Sequence, residues 1–223
     1  MTSADIANHF GSFGRTRPCR PAAGSNFSRQ PVFATLNHVA REEFLGLLRW
    51  KVARMELRVY PDKVLCRAAS ALREVTDDEL ARAREMLGFM YELEGVGLAG
   101  PQIGWRSRVV TLDVENSKKG DRIFVNPRIV SMEGEQTEEE GCLSLPGVRA
   151  RVTRANRLVV VTYTIRGKRV ELEVEGLPAR AWQHEIDHLN GVLLIDRLDA
   201  VTLTQLRQQL RELEEAARKP AGR

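Results

Sequence analysis

The sequence predicts an α+β fold, with mixed or antiparallel sheets packed around a central helix and a further helix at the C-terminal end. Three observations carry that expectation. A capped helix precedes four short alternating runs, two of those runs are joined by a hairpin signal, and two helical patterns close the chain. Strands gathered in a block, rather than alternating singly with helices, argue against a parallel α/β sheet. No internal repeat is present.

The first helix opens at Thr76-Asp77-Asp78-Glu79, a capping box in which Thr76 can accept from the backbone N–H of Glu79 while Glu79 reaches back. Leu80, Ala83, Leu87, Met90 and Leu93 follow at helical spacing, and Gly95 is the expected stop. Alternating runs then occupy 108–115, 122–130, 157–165 and 168–175, the last two separated by Arg166-Gly167 as in a hairpin. Pro178 sits near the start of the next helix and Gly191 ends it. A final helix is expected from about Ala200 to Arg218, with Leu203, Leu206, Leu210 and Leu213 in one stripe.

The composition, 43% hydrophobic and 29% charged, is that of a chain able to bury a core. No apolar run of about 18 residues occurs, so no membrane span is expected. The net charge of +4 is unevenly placed: residues 1–54 hold eight Lys/Arg against three Asp/Glu, and the remainder is close to balanced. The basic excess therefore belongs to the leading segment and gives no support to DNA binding. Cys19, Cys66 and Cys142 are too few and too widely spaced for a disulfide framework, which suggests a reducing compartment. Cys19 reads as an inert tail thiol and Cys66 as a small buried hydrophobe.

Residues 1–35 are rich in Ser, Gly, Arg and Pro without periodicity, and are expected to be disordered. Arg/Ser-rich and acid-poor, the segment has the composition of an organellar transit peptide. The other expectation is that translation begins at Met55. Residues 40–53 could form a short amphipathic helix. Residues 55–218 are the expected catalytic domain.

The chemistry-bearing stretch is Gln183-His184-Glu185-Ile186-Asp187-His188. On a helix, His184 and His188 project from one face a turn apart and both imidazoles can reach one ion, with Glu185 placed to hydrogen-bond a water there. A chance match on a surface helix is weakened by the apolar neighbours Ala181, Trp182, Ile186 and Leu189, and by the rarity of histidine: the only others are His9 and His38. Two histidines leave a catalytic site one ligand short. A zinc peptidase would add it downstream, where no further histidine occurs. The better third ligand is Cys142, inside EGCLSLPG, and a thiolate with two imidazoles leaves a fourth position open. The stretch Gly95-Val96-Gly97-Leu98-Ala99-Gly100-Pro101-Gln102 is a weak phosphate-loop pattern, and no strand precedes it as a dinucleotide fold requires.

GVGLAGPQ, EGCLSLP and QHEIDH stand in the order and approximate spacing of the three motifs of peptide deformylases, which remove the N-formyl group from nascent polypeptides. The chain resembles that family over about residues 55–215, including the opening LRVYPDKVLCRAA. One departure is Gly100, where the family usually has Ala; it is expected to add backbone freedom and remove no functional group. The resemblance implies Cys142, His184 and His188 as metal ligands and Glu185 as general base and acid. It implies the Gln102 side chain and the Leu143 backbone N–H as oxyanion donors. It also implies a peptide substrate lying as an added strand beside Val96–Gly97 and Ser144–Gly147. The methionine side chain would then sit in a pocket of Val96, Leu177, Ala181 and the His184 ring.

Arg180, near that pocket, is expected to pack its stem and turn its guanidinium to solvent. Glu140 is expected to pair with Arg154 and fix the cysteine loop. The ligand types alone favour Zn²⁺, whereas the resemblance implies one Fe²⁺ per chain, with Zn²⁺, Ni²⁺ or Co²⁺ able to occupy the site. The implied partners are N-formylmethionyl nascent peptides and, through the C-terminal helix, the ribosome. The implied compartment is the bacterial cytoplasm, or an organelle if residues 1–54 are a transit peptide. Two alternatives stand beside this reading: a zinc peptidase of the HExxH type, and a non-catalytic, ribosome-associated metal-binding module.

Overall fold

The computed structural model describes residues 55–218. The expectations for the leading segment, its short helix and Cys19 lie outside the described residues. Two helices and seven strands come first: α1 (Asp77–Glu92), β1 (Gly97–Ala99), β2 (Val109–Leu112), β3 (Ile123–Glu133), β4 (Gln136–Cys142), β5 (Leu145–Arg154), β6 (Arg157–Thr164), β7 (Arg169–Glu175) and α2 (Leu177–Leu189). The chain then runs through α3 (Ala200–Gln205) into α4 (Arg207–Arg218).

Five strands form one sheet in the order β1-β2-β3-β6-β7, and β4 pairs with β5 as a separate two-stranded sheet. Every pairing between these strands is antiparallel. The larger sheet is covered on both faces, which is why its central strands read as near-continuous apolar runs. Val109, Ile123 and Val125 point to α1, against Ala83, Met86 and Met90. Their neighbours Val110, Leu112 and Phe124 point to α2, against Ala179, Trp182, Ile186 and Leu189. The period of two along each strand thus sorts residues between two helices. Phe124 and Trp182 meet edge to face with ring centroids 4.9 Å apart.

A third cluster packs Leu145, Val148 and Val152 of β5 against Leu193, Leu194 and Ile195, and here the C-terminal stripe docks through Leu206, Leu210 and Leu213. Leu203, expected in the same stripe, is 39% exposed, and the final helix is interrupted at Leu206. Cys66 lies at the edge of this cluster and is half-buried rather than buried.

The helix caps refine the sequence reading. Thr76 Oγ1 accepts from the Glu79 N–H at 3.3 Å as expected, but the Glu79 carboxylate returns to the Thr76 hydroxyl rather than to its backbone. Glu94, not Gly95, takes the left-handed conformation (φ 55°) after α1. Gly95 serves another purpose: a Cβ there would stand 2.9 Å from Leu143 Cδ1. The hairpin at Arg166-Gly167 forms as expected, with β6 and β7 in register from Arg157↔Glu175 to Tyr163↔Arg169. The β4–β5 hairpin has no counterpart among the alternating runs read from the sequence. Among the described residues no helix is long and apolar enough to cross a membrane.

Candidate metal centre and active site

Three separate segments meet at one cleft. The helix α2 supplies His184, Glu185 and His188, and lies almost wholly buried from Ala179 to Leu189. The β4–β5 hairpin supplies Cys142, the last residue of β4, with Leu143 and Ser144 forming the turn at its tip. The short helical turn Gly100–Ile103, which follows β1 at the sheet edge, supplies Gln102.

Cys142 Sγ lies 3.3 Å from His188 Nε2, and the donor atoms of Cys142, His184 and His188 all lie within 4.8 Å of one another. One sulfur and two imidazole nitrogens at this spacing fit a single divalent cation with room for a further ligand. His184 Nδ1 is 3.0 Å from Glu140 Oε2. With the carboxylate as acceptor, Nδ1 carries the proton and Nε2 keeps its lone pair for the ion. Burial pulls the His184 pKa down, but hydrogen bonds to Cys142 and Glu140 outweigh it and raise it to about 10. His188, buried beside His184 and Arg154, is held well below the ordinary imidazole range.

Glu185 is buried, and its Oε2 has no partner among the described protein groups. Burial pushes its carboxyl up to about 7, against the pull of His184 and Arg154. Gly97 makes room for it, since a Cβ at Gly97 would fall 2.4 Å from Glu185 Oε1. The Gln102 carboxamide is fixed at both ends. Its Oε1 accepts from the Ala99 N–H at 2.8 Å, and its Nε2 donates to Ser144 Oγ at 3.2 Å while facing Cys142 Sγ at 3.9 Å.

The cleft has a volume of about 500 Å³, and Val96, Gly97, Leu143, Leu177 and Ala181 line it together with Cys142, His184 and Glu185. All of the residues expected at the site are therefore brought together, and all line the cleft except His188, which is 1% exposed and reaches Cys142 and His184 from beneath it. Because β1 is an edge strand, one side of its backbone remains free of sheet pairing beside the cleft.

Beneath Cys142, His184 and His188 runs a buried chain of charge. Glu140 accepts Arg154 Nε and Nη2 at 2.6 and 2.9 Å, so the expected pair forms and is bidentate. Arg154 Nη1 continues to Asp187 Oδ2 at 2.8 Å, and Asp187 in turn is gripped by Arg197. Burial alone would raise the Glu140 pKa, but His184 and Arg154 hold it near 2. The expectation for Arg180 is wrong. Its guanidinium is buried, donating to Glu140 Oε1 at 2.5 Å and to the carbonyls of Val152 and Gln136. A charge facing away from water is tolerated here because a carboxylate and two carbonyls replace it. The Ser144 bond to Gln102 and the parts played by Asp187 and Arg197 were not anticipated. The one sequence signal for them was a second carboxylate, Asp187, on a helix whose apolar residues Trp182, Ile186 and Leu189 imply burial.

An α+β scaffold whose HExxH helix faces a cysteine-bearing hairpin defines a metal-dependent hydrolase. The sequence profile of the polypeptide deformylase family matches residues 54–203. A peptide deformylase of Thermodesulfovibrio yellowstonii is 40% identical over 162 residues, spanning 72% of this chain and 98% of that protein. The crystal structure of a peptide deformylase from Legionella pneumophila superposes with a TM-score of 0.68 at 38% identity, covering 74% of this chain and 98% of that one. The peptide deformylase structure from Thermus thermophilus gives a TM-score of 0.67 at 39% identity, covering 73% and 98%. The chain belongs to the polypeptide deformylase family, and is an enzyme of that family.

Proposed function

We propose that this chain hydrolyses the formamide at the N-terminus of formylmethionyl nascent peptides, with residues 55–218 as the catalytic unit. The observation that carries this reading is the convergence of Cys142, His184 and His188 with Glu185 and Gln102 at one cleft beside a free strand edge. Cys142, His184 and His188 would hold one divalent cation, Fe²⁺ in this reading. When bound, the cation supplies a water of pKa near neutrality and polarises a carbonyl.

The chain's own groups do the rest. Glu185, buried with a free oxygen, takes the proton of the attacking water and passes it to the departing amine, so that water and formamide leave as formate and a free N-terminus. The Gln102 Nε2–H and the Leu143 N–H donate to the oxyanion that develops on the formyl oxygen. Gln102 needs no reorganisation for this, because Ala99 and Ser144 already fix its amide. The peptide adds as a strand to β1 near Val96 and Gly97, where main-chain pairing tolerates many sequences. Its methionine side chain fills the pocket of Val96, Leu177, Ala181 and the His184 ring. The wider reading includes the bacterial cytoplasm as compartment and ribosome docking through the solvent face of α4.

The purified chain, loaded with Fe²⁺ or Ni²⁺ under reducing conditions, is to be incubated with formyl-Met-Ala-Ser. Formate release is the expected result. Cleavage at an internal peptide bond would favour a peptidase, and neither product would leave only a metal-binding module.

A further inference from the structure

Arg180 and His184 lie one turn apart on the same face of α2, and they grip the two oxygens of one carboxylate. Arg180 Nη1 donates to Glu140 Oε1 at 2.5 Å, and His184 Nδ1 meets Glu140 Oε2 at 3.0 Å. A single contact would let the imidazole and the carboxylate pivot about each other; two contacts from one helix do not. The same guanidinium reaches both strands of the small sheet, donating to Gln136 O of β4 at 3.0 Å and to Val152 O of β5 at 2.9 Å. Arg154 does the reverse, reaching from β5 across to Asp187 of α2. Arg154 also pairs with Glu140, but that pair joins two strands of one hairpin and says nothing of where the hairpin sits on the helix. Arg180 is 4% exposed, so these bonds are shielded from water and salt.

We infer that Arg180 is a positioning residue. It holds the hairpin that carries Cys142 against the helix that carries His184 and His188, so that three donors from two elements stay within reach of one cation. The inference rests on the ligand set proposed above. It gives Arg180 two duties, since the residue also lines the cleft.

The test uses the full chain loaded with Co²⁺, whose thiolate absorption band reports the bond to Cys142. In Arg180→Met, which keeps the apolar stem, release of Co²⁺ to a chelator is expected to quicken by about 10–100-fold, the usual effect of losing an outer-shell partner. The thiolate band should shift or weaken. Arg180→Lys, which can reach Glu140 but cannot fork to two carbonyls, should fall between parent and Arg180→Met. If Arg180→Met does not fold, Arg180→Lys decides alone. A pocket-wall or purely structural role would change the thermal midpoint and leave release rate and band as in the parent. Release within threefold of the parent in the folded variants overturns the inference. A parent chain that shows no thiolate band, or one unchanged by Cys142→Ser, instead overturns the ligand set, and the inference falls with it.

Discussion

At the scale of single residues, the site depends on groups held still by neighbours that do no chemistry. Gln102→Leu removes an amide pre-set by Ala99 and Ser144. It should lower kcat by about 10²–10³-fold, as loss of one oxyanion donor does, and steady-state kinetics showing a drop below about threefold would refute its role. Gly97→Ala places a methyl group against the Glu185 carboxylate. The carboxylate is the mobile end of a side chain, so the fold should survive while the proposed base is displaced, costing on the order of 10²-fold in kcat for a shift of about 1 Å. Circular dichroism and kcat measured together check this. These residues were legible in the sequence because function restricts their type and spacing. Arg180 was not: nothing along the chain says that a carboxylate 40 positions upstream and two carbonyls will meet it.

At the scale of elements, α1, α2 and the β6–β7 hairpin could be read directly, since caps, helical spacing and turn residues are local signals. The β4–β5 hairpin could not, because its outward positions carry Glu138, Glu139, Arg149 and Arg151 and its tip is a functional motif rather than a turn signature. Gly100 illustrates a different limit. Read as added freedom, it proves to be a close contact, where a Cβ would stand 2.6 Å from the carbonyls of Trp105 and Ser107. Gly100→Ala is therefore expected to destabilise this chain by about 1–3 kcal/mol, measured by urea unfolding.

Beside the apolar packing of α1 on β2, a polar contact ties the end of α1 to the residue after β2. Tyr91 donates to Asp113 at 2.7 Å, and Asp113 also accepts from the Ser117 and Lys118 N–H groups and pairs with Arg122. Burial and then that hydrogen bond push the Tyr91 hydroxyl up to about 12. A folded pKa above the ordinary tyrosine value of about 10 means that the stabilisation is complete below that pH and lost as pH rises towards 12. Tyr91→Phe should lose about 1 kcal/mol at neutral pH, and urea titrations above about pH 10 should show a flatter decline than the parent.

At the scale of the whole molecule, three motifs far apart in sequence become one site because the five-stranded sheet is clasped between α1 and α2 while the small sheet leans on α2. The cation is expected to bind the folded chain only, so at about a thousandfold excess over Kd it should add about 4 kcal/mol of stability. Chelation should then lower the thermal midpoint by on the order of 10 °C, and an unchanged midpoint in calorimetry would argue against the ligand set. Cys142 stands at the tip of a hairpin that belongs to neither face of the large sheet, and His188 lies 46 residues further on. A cation shared by the two would close a loop much as a disulfide does, and a loop of that length is worth about 4 kcal/mol in the chain-entropy picture. An oxidant that caps the Cys142 sulfur would thus unfasten a strap as well as stop turnover, and amide exchange should quicken first in 136–154.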